Sequence, residues 1–326
     1  NVFFENLALT KVGEVFAVPG VSASAAPFYS NASSAYENII NLKNTNKGYS
    51  YALSAQLEKY FDFGLDVAAS YTYGRSRSVN DGTSSVAYSN WKYNYSRDTN
   101  GPGEMGYSKF DIPHRVMVRL NYNSPKYCQG WLSTSVGIVY TGTSGGRYSL
   151  TMNEKDDFNG DGWRGNNLLY IPTKDELSKM NFIASTDKKG NVTTPDQARQ
   201  LFEDWIQGNS YARTHRGQYA ERNSCMTDWE NNIDLHFGQS IHLKNLVRLE
   251  FTLDVINFTN MLNKRWGTTY GNAYNVSPIM VNKIVTTGAA GNIVAEPSYT
   301  YNPNANPTPS DIASRWHMQL GFRIAF

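Results

Sequence analysis

The sequence predicts an all-β protein, a transmembrane antiparallel β-barrel of the up-and-down type, and three observations favour this fold class. Short segments in which apolar and polar residues alternate recur along the chain, as expected for strands with two different faces. The connections between these segments are alternately long and short. No run of about 18 apolar residues occurs, so the sequence contains no candidate transmembrane helix.

The last segment, residues 316–326, shows the alternation most strictly. Its apolar residues occupy every second position, namely Trp316, Met318, Leu320, Phe322, Ile324 and Phe326. The residues between them are polar or small. A strand of this kind can place one face against lipid and the other against a watery lumen, so we interpret it as a membrane-spanning strand.

Six further alternating segments precede the last one. They lie at residues 51–58, 65–74, 115–122, 132–141, 229–237 and 247–255. Residues 2–7 are also rich in apolar side chains, and we interpret them as the end of one more strand. The sequence therefore predicts about seven to eight strands of an up-and-down barrel.

Long connections follow or precede every second strand. They span about 8–48, 76–112, 143–228 and 258–314. Outer-membrane barrels have short turns on the periplasmic side and long loops outside, so the last strand is expected to run inward and to end in the periplasm. Such loops are unusual in a compact soluble domain, whereas in a receptor they face the ligand. The pattern predicts a bacterial outer-membrane protein.

The polar face of the predicted strands carries many charges. The charged residues on it are Glu58, Asp66, Arg115, Arg119, Asp234, Arg248, Glu250, Asp254 and Arg323. A dry core would not accept so many charges. A wide lumen that is filled with water or with a plug would accept them.

Composition limits the possible partners. Aromatic residues make up 13% of the chain, with 22 Tyr and 7 Trp, which suits a membrane–water interface but also a soluble β-sandwich with surface tyrosines. The net charge of +2 gives no reason to expect a nucleic-acid partner. Cys128 and Cys225 are expected on opposite sides of an apolar band about 25 Å tall, so no disulfide is predicted.

Several segments resemble one known family. They are 110–115 (FDIPHR), 157–162 (DFNGDG), 168–172 (LLYIP), 253–260 (LDVINFTN) and the terminal strand. Together they resemble the C-terminal part of the barrel of a TonB-dependent outer-membrane transporter of the large type found in Bacteroidota. Segments 157–172 and 253–260 resemble the Oar-like branch, whose members carry a carboxypeptidase-regulatory-like domain at the N-terminus.

The resemblance implies a barrel of about 22 strands with a plug domain inside, of which this chain supplies the C-terminal segment without the plug. It implies active import of a large nutrient, an oligopeptide or protein fragment, driven by TonB through the plug. The lipid bilayer, the barrel-assembly machinery and a surface lipoprotein are the other expected partners. The assembly signal would be Trp316, Leu320, Phe322, Ile324 and Phe326. Because the first strand of the full barrel would close against residues 316–326, that edge is expected to be unpaired.

Other interpretations remain open on the residues alone. A closed eight-stranded barrel, a passive porin or structural barrel without a plug, and a soluble β-sandwich adhesin are the alternatives. An enzyme is not expected, because no pair of histidines has metal or catalytic spacing and no nucleophile motif occurs. The five histidines are His114, His215, His236, His242 and His317.

One long connection contains a candidate calcium loop. Asp157, Asn159 and Asp161 stand at alternate positions with Gly162 after them, a spacing that turns three oxygen-bearing side chains toward one point. The twelfth position of an EF-hand loop would be Leu168, so the usual glutamate is missing. The alternative is a turn that is stabilised by its own side-chain-to-backbone hydrogen bonds.

Two further segments are candidates for ligand contact. Tyr88, Trp91, Tyr93 and Tyr95 could stack on a ligand, or they could form the outer aromatic girdle or pack within their own loop. Residues 195–207 predict an amphipathic helix that is capped by Thr194. Its apolar face would consist of Ala198, Leu201, Phe202 and Trp205. This helix would either contact the ligand or pack the long loop onto the barrel rim.

Overall fold

The computed structural model describes residues 2–32, 35–243, 246–270, 275–289 and 291–326. In chain order the first elements are β1 (Val2–Asn6), β2 (Leu9–Phe16), β3 (Ala25–Asn31), β4 (Ile40–Asn44), β5 (Tyr49–Tyr60) and β6 (Leu65–Ser78). They are followed by α1 (Ala87–Lys92), β7 (Gly106–Tyr107), β8 (His114–Asn123) and β9 (Leu132–Thr143).

The third long connection and the C-terminal part contain the remaining elements. The connection holds β10 (Arg147–Leu150), β11 (Asn153–Glu154), β12 (Tyr170–Ile171), α2 (Lys174–Lys179), β13 (Ser185–Thr186), β14 (Val192–Thr193), α3 (Pro195–Gly208), β15 (Gln218–Tyr219) and β16 (Cys225–Met226). The C-terminal part holds β17 (Glu230–Leu243), β18 (Val247–Ile256), α4 (Phe258–Leu262), β19 (Asn275–Val276), β20 (Ile279–Thr287), β21 (Ile293–Tyr301), α5 (Asp311–Ser314) and β22 (His317–Ala325).

The long strands form one antiparallel sheet in chain order, β5-β6-β8-β9-β17-β18-β22, with β7 added beside the end of β6. All the strands that the alternation predicts are present, so the predicted all-β, up-and-down arrangement is confirmed. Within the described residues, β5 and β22 pair on one side only. The short turn that was predicted near 243–246 includes residues 244 and 245, which lie outside the described residues.

Gly64 explains why one of the short turns can be so tight. Its φ is +94°, in the region that favours glycine, and a Cβ atom there would lie 2.1 Å from the backbone oxygen of Asn123. The turn between β5 and β6 therefore lies directly against the end of β8.

The outward face of the sheet is a continuous apolar surface. One row crosses it through paired residues, in the order Leu320, Leu253, Phe237, Val136, Tyr122 and Leu65. Leu320 is 78% exposed, and no second sheet covers this row in the described part of the chain. The β-sandwich alternative is therefore wrong, because it requires these side chains to be buried between two sheets.

The inward face of the sheet is polar, and its charges pair with one another. Arg119 on β8 lies 2.9 Å from Glu58 on β5 and 3.2 Å from Asp66 on β6. His236 and Asp254 form a similar contact of 2.6 Å between β17 and β18. Because these groups are partly exposed, they suit a wet lumen rather than a dry core.

The long connections fold together, which the sequence did not indicate. We call this part the cap, and it comprises the described residues of 2–48, 79–113, 144–229 and 257–316. Its five-stranded sheet has the order β11-β20-β21-β2-β3 and so combines strands from three connections. Segments 8–48 and 258–314 were expected to be loops, but they supply most of this sheet. Residues 2–7 were predicted to end an eighth strand of the barrel, and this was wrong. They form β1, which pairs with β4 in a separate two-stranded sheet of the cap, because its partner comes from the same connection.

The hydrophobic core lies in the cap. The largest buried side chains there include those of Leu150, Phe158, Phe202, Ile279 and Tyr299. A smaller cluster joins Phe4, Leu9, Tyr29 and Trp91. Every member of the two clusters belongs to the cap, so burial of apolar surface stabilises the connections while the sheet exposes its apolar face.

The predicted amphipathic helix is confirmed as α3. Thr194 and Gln197 form a capping box, and Pro195 stands at the first turn, where its missing N–H is not needed. Leu201 was expected on the apolar face but is 42% exposed, whereas Ile206 is buried. The helix packs into the cap core, and the Trp205 indole donates to the backbone oxygen of Ala305 at 2.7 Å. No described helix is long and apolar enough to cross a membrane.

Candidate ligand-binding region

A cavity of about 300 Å³, lined mainly by residues with polar side chains, lies between the second and third connections. Its wall includes Asn80, Asp81, Asn90, Tyr93, Asn94, Tyr95, Lys109 and Arg222. The volume is near the lower limit for small-molecule sites, which is about 300 Å³. The cavity is therefore large enough to hold part of a ligand, and its amide groups offer both donors and acceptors.

Asp81 organises the side of the cavity that follows β6. Its Oδ1 accepts from the Ser78 hydroxyl at 2.7 Å, and its Oδ2 accepts from the Lys109 backbone N–H at 3.1 Å. The neighbouring Asn80 holds the turn, because its Oδ1 accepts from the Gly82 N–H at 2.9 Å. Hydrogen bonds within this turn therefore help to place the side chains of Asn80 and Asp81 at the cavity wall.

Arg222 closes the cavity from the third connection. Its guanidinium lies 3.4 Å from Asp81 and donates to the backbone oxygen and the hydroxyl of Ser78. Arg222 is buried, and burial lowers its pKa while Asp81 opposes that change. A guanidinium keeps its proton in proteins, so the cavity has a fixed buried cation in its wall.

The structure separates the four aromatic residues that the sequence grouped together. Trp91 is a core residue, and its indole donates to the backbone oxygen of Thr99 at 3.0 Å. Tyr88 stacks on Trp91 with ring centroids 5.7 Å apart. Tyr93 and Tyr95 instead line the cavity. Loop self-packing therefore accounts for two of the four, and the other two remain candidates for ligand contact.

Tyr93 is the most accessible of these rings, with 58% of its surface exposed. It meets Trp163 edge-on at 5.4 Å, and the Lys92 ammonium lies 3.5 Å from the Trp163 ring centroid. This cation–π contact joins the second connection to the third. Trp163, at the end of the 157–163 segment, therefore supports the rim of the cavity.

The predicted calcium loop lies beneath this rim. Asp157 accepts from the Gly160 N–H at 2.9 Å through Oδ1 and from the Gly162 N–H at 2.7 Å through Oδ2. The Asn159 amide donates to Asp161 at 3.2 Å. Among the described residues, no three acidic, histidine or cysteine side chains converge as a metal site. The loop is thus stabilised by its own hydrogen bonds in this arrangement, and calcium binding stays a prediction.

Among the acidic residues around that loop, Asp161 is buried, and Glu154 and Asp157 are partly buried. Burial raises the pKa of Glu154 to about 8 and that of Asp157 to about 6, and it also raises the pKa of Asp161. The Asn167 amide donates to Glu154 at 3.0 Å, while its oxygen has no hydrogen-bond partner. These oxygen donors are of the type that calcium prefers, but in the described part of the chain the carboxylates of Glu154, Asp157 and Asp161 do not converge on one point.

A cluster of arginine contacts anchors the cap to the sheet. Arg147 lies 2.7 Å from the buried Asp111 and 3.8 Å from the centroid of the Tyr107 ring. Arg77 on β6 approaches the same ring at 4.5 Å and also pairs with Glu221. These contacts fix the position of the second and third connections at the end of β6, and thereby the walls of the cavity.

One arrangement on the inward face resembles a catalytic triad in its residue types. Asp254 lies 2.6 Å from His236 Nδ1, and His236 Nε2 lies 3.5 Å from the Ser135 hydroxyl. All three residues belong to paired strands, whose backbone N–H groups bond the neighbouring strands. In the described part of these strands, the backbone N–H groups beside the three residues are therefore used in the sheet and are not free to stabilise an oxyanion.

Both cysteines are free. Cys128 is exposed in the turn between β8 and β9, and Cys225 is buried in β16 of the cap. They therefore lie at opposite ends of the strands β8 and β9 in the sheet order.

Sequence reasoning missed Asn80, Asp81, Lys109 and Arg222. Asp81 and Arg222 are separated by 141 positions, and neither belongs to a recognisable motif. The only local signal was the turn-forming sequence Asn80–Gly82. Such a sequence predicts a turn but does not indicate which distant residues pack against it.

A sheet with an apolar outward face and a charged inward face is suited to cross a bilayer with its strands. In the bacterial outer membrane, sheets that cross the bilayer are closed into barrels. The chain is therefore an outer-membrane β-barrel protein of bacteria. It belongs to the family described as outer membrane beta barrel domain, whose model matches residues 6–315. No curated protein and no solved structure matches it.

Proposed function

We propose that this chain forms part of the wall and the outer cap of a TonB-dependent importer of an oligopeptide or protein fragment. The observation that carries the proposal is the folded cap, which holds a cavity lined mainly by polar residues on the long-connection side of a sheet with a charged inward face. Ligand-binding residues commonly lie on loops that a rigid scaffold positions.

A passive porin is the second candidate. A diffusion pore selects by width and charge and does not need a preorganised ligand cavity. The cap has a dry core, a buried cation at the cavity wall and ion pairs that fix both connections. These features hold the cavity walls in a fixed arrangement. A preorganised recognition surface of this kind favours an importer that selects its nutrient before transport.

The proposal includes the partners that the resemblance implies. TonB would act through a plug domain that is not among these 326 residues. The exposed row around Leu320 would face the lipid bilayer, and the terminal residues Trp316–Phe326 would be read by the barrel-assembly machinery. A surface lipoprotein would contact the cap from outside.

Uptake by cells that express the full-length protein tests the proposal. Cells are supplied with a fluorescent pool of oligopeptides, with and without functional TonB, and with a protonophore as an independent block. If the protein is a TonB-dependent importer, uptake should stop when TonB is lost. Uptake that continues unchanged without TonB would support the porin.

A further inference from the structure

Three aromatic rings of the cap surround the side chain of Lys92. Its ammonium lies 3.5 Å from the ring centroid of Trp163 and 5.3 Å from those of Tyr88 and Tyr93. Each distance falls within the range of about 6 Å over which an aromatic ring attracts a cation. We call the rings of Tyr88, Tyr93 and Trp163 the cage. Lys92 shows that the cage has the size and the geometry to hold an ammonium group.

Two connections supply the walls of the cage. Tyr88 belongs to α1 and Tyr93 follows its last residue, Lys92, whereas Trp163 comes from the third connection. The Trp163 backbone N–H donates to the carboxylate of the buried Asp161 at 2.8 Å. The planes of the Tyr93 and Trp163 rings meet at 88°, so the two rings form a corner. The cage therefore exists only when the second and third connections pack together.

Cation–π contacts hold Lys92 in the cage. In the described part of the chain its ammonium makes these contacts and no ion pair with a carboxylate. A single cation–π contact at a partly exposed site is weak. A lysine side chain that leaves such a site also regains rotamer freedom. Another cation can therefore displace Lys92 at small cost.

The cage can be reached from the cavity described above. Tyr93 is 58% exposed and also lines that cavity. Tyr88, Lys92 and Trp163 are half-buried, in contrast to the core residue Trp91. A ligand that occupies the cavity at Tyr93 therefore has the cage beside it.

Acidic groups lie near the cage. Burial raises the pKa of the Tyr88 phenol, and the neighbouring carboxylates of Asp161 and Glu37 raise it further. Negative charge at this place adds to the attraction of the rings for a cation. Aromatic cages are a means by which proteins bind the ammonium groups of ligands. The surroundings of Lys92 thus suit a cation from a ligand as well as its own.

We propose that the cage binds a basic side chain of the oligopeptide ligand, and that Lys92 occupies the cage until the ligand arrives. The ammonium of a ligand lysine takes the place of the Lys92 ammonium, and the Lys92 side chain moves into solvent. This inference rests on the proposed import of an oligopeptide and adds one determinant of its specificity. Lys92 makes the site selective, because an uncharged side chain cannot replace the cation–π contacts that Lys92 loses.

Peptide binding to the full-length protein in detergent tests the cage. The probes are the end-capped pentapeptide Ala-Ala-Lys-Ala-Ala and the same peptide with norleucine, whose side chain is similar in length and uncharged. We expect the lysine peptide to bind about tenfold more tightly. Trp163→Leu should remove this preference, whereas Trp163→Phe keeps a ring and should retain part of it. An equal preference in the unchanged protein and in Trp163→Leu would overturn the site.

A second variant tests the role of Lys92. Lys92→Ala empties the cage and keeps a good helix former in α1, so the lysine peptide should bind about tenfold more tightly than it does to the unchanged protein. The norleucine peptide should bind as before. As a control, Lys179→Ala removes a lysine from the last turn of α2 and should change neither affinity. An affinity for the lysine peptide that Lys92→Ala leaves unchanged or weakens would overturn the proposal that Lys92 competes with the ligand.

The TonB experiment distinguishes this proposal from the one it rests on. A lysine preference that Trp163→Leu removes, together with uptake that does not need TonB, would keep the cage and overturn the importer. Uptake that needs TonB but proceeds equally with the two peptides, and is unchanged by Trp163→Leu and Lys92→Ala, would keep the importer and overturn the cage.

Discussion

Arg222 and Asp81 lie 3.4 Å apart although 141 positions separate them, and both side chains are at least nine-tenths buried. Their contact connects the third long connection to the second at the wall of the cavity. Because neither charge has ready access to water, each depends on the other for compensation. The pair therefore determines the shape of the cavity as well as the stability of the cap.

The first prediction concerns this ion pair. Asp81→Asn leaves the Arg222 guanidinium buried without a counter-charge, and we expect the cap to lose about 3 kcal/mol. Protease resistance of the cap in the full-length protein measures the loss. The double variant Asp81→Asn/Arg222→Met should recover much of it. As a control, Asp311→Asn breaks an exposed pair with Arg315 and should change little. Equal effects of Asp81→Asn and Asp311→Asn would contradict the prediction.

The second prediction concerns the pH dependence of the loop around Asp157. The pKa of Glu154 rises from 4.5 to about 8 on folding, and that of Asp157 rises from 3.8 to about 6. Between about pH 4 and 8 the folded cap therefore binds more protons than the unfolded chain, so its stability falls as the pH rises across this range and levels off above it. Hydrogen exchange of residues 154–167, corrected for intrinsic rates, should show this loss, on the order of a few kcal/mol.

Two controls accompany the pH experiment. Glu154→Gln removes the group with the larger pKa change, so most of the dependence between pH 6 and 8 should disappear. Calcium, if the loop binds it, would hold the carboxylates ionised and restore protection at pH 8. Protection that is unaffected by millimolar calcium at pH 8 would exclude the calcium prediction.

The third prediction compares two glycines of the same loop. Gly160 and Gly162 both have positive φ, at 73° and 85°. A Cβ at Gly160 would lie 2.2 Å from the Tyr29 backbone oxygen, whereas a Cβ at Gly162 would meet nothing within 4 Å. We expect Gly162→Ala to cost about 1–2 kcal/mol and Gly160→Ala clearly more, because the loop must move away from β3. Thermal unfolding compares them, and similar midpoints would contradict the prediction.

The fourth prediction tests which face of β22 meets lipid. Leu320 lies in the outward apolar row, and its neighbour Gln319 points to the other face. Leu320→Arg should cost about 2–4 kcal/mol of barrel stability if the row lies near the bilayer midplane, whereas Gln319→Arg should cost much less. Urea unfolding in lipid vesicles provides the comparison. The reverse order of the two variants would contradict the assignment of the faces.

Much of the sheet could be predicted because the relevant information is local. Period-2 alternation places each strand and its two faces, so Leu253 and Leu320 could be assigned to the lipid side without knowing that they pair. The helix α3 was likewise predictable, since Thr194 and Gln197 cap it within one turn. Leu201 was predicted to be buried, but it is exposed. The apolar face of a helix does not indicate how much of that face the rest of the fold covers.

The cap could not be predicted, because its contacts join distant residues. Gly13 on β2 pairs with Ile293 on β21, and no local pattern can indicate a partner so far along the chain. The sequence by itself determined the alternating strands, the order of long and short connections and hence the membrane-crossing sheet. Only the tertiary structure decided that Trp91 is a core residue while Tyr93 lines a cavity, and that Asp81 meets Arg222. Burial and charge compensation depend on which connections pack together, and that is a property of the whole fold.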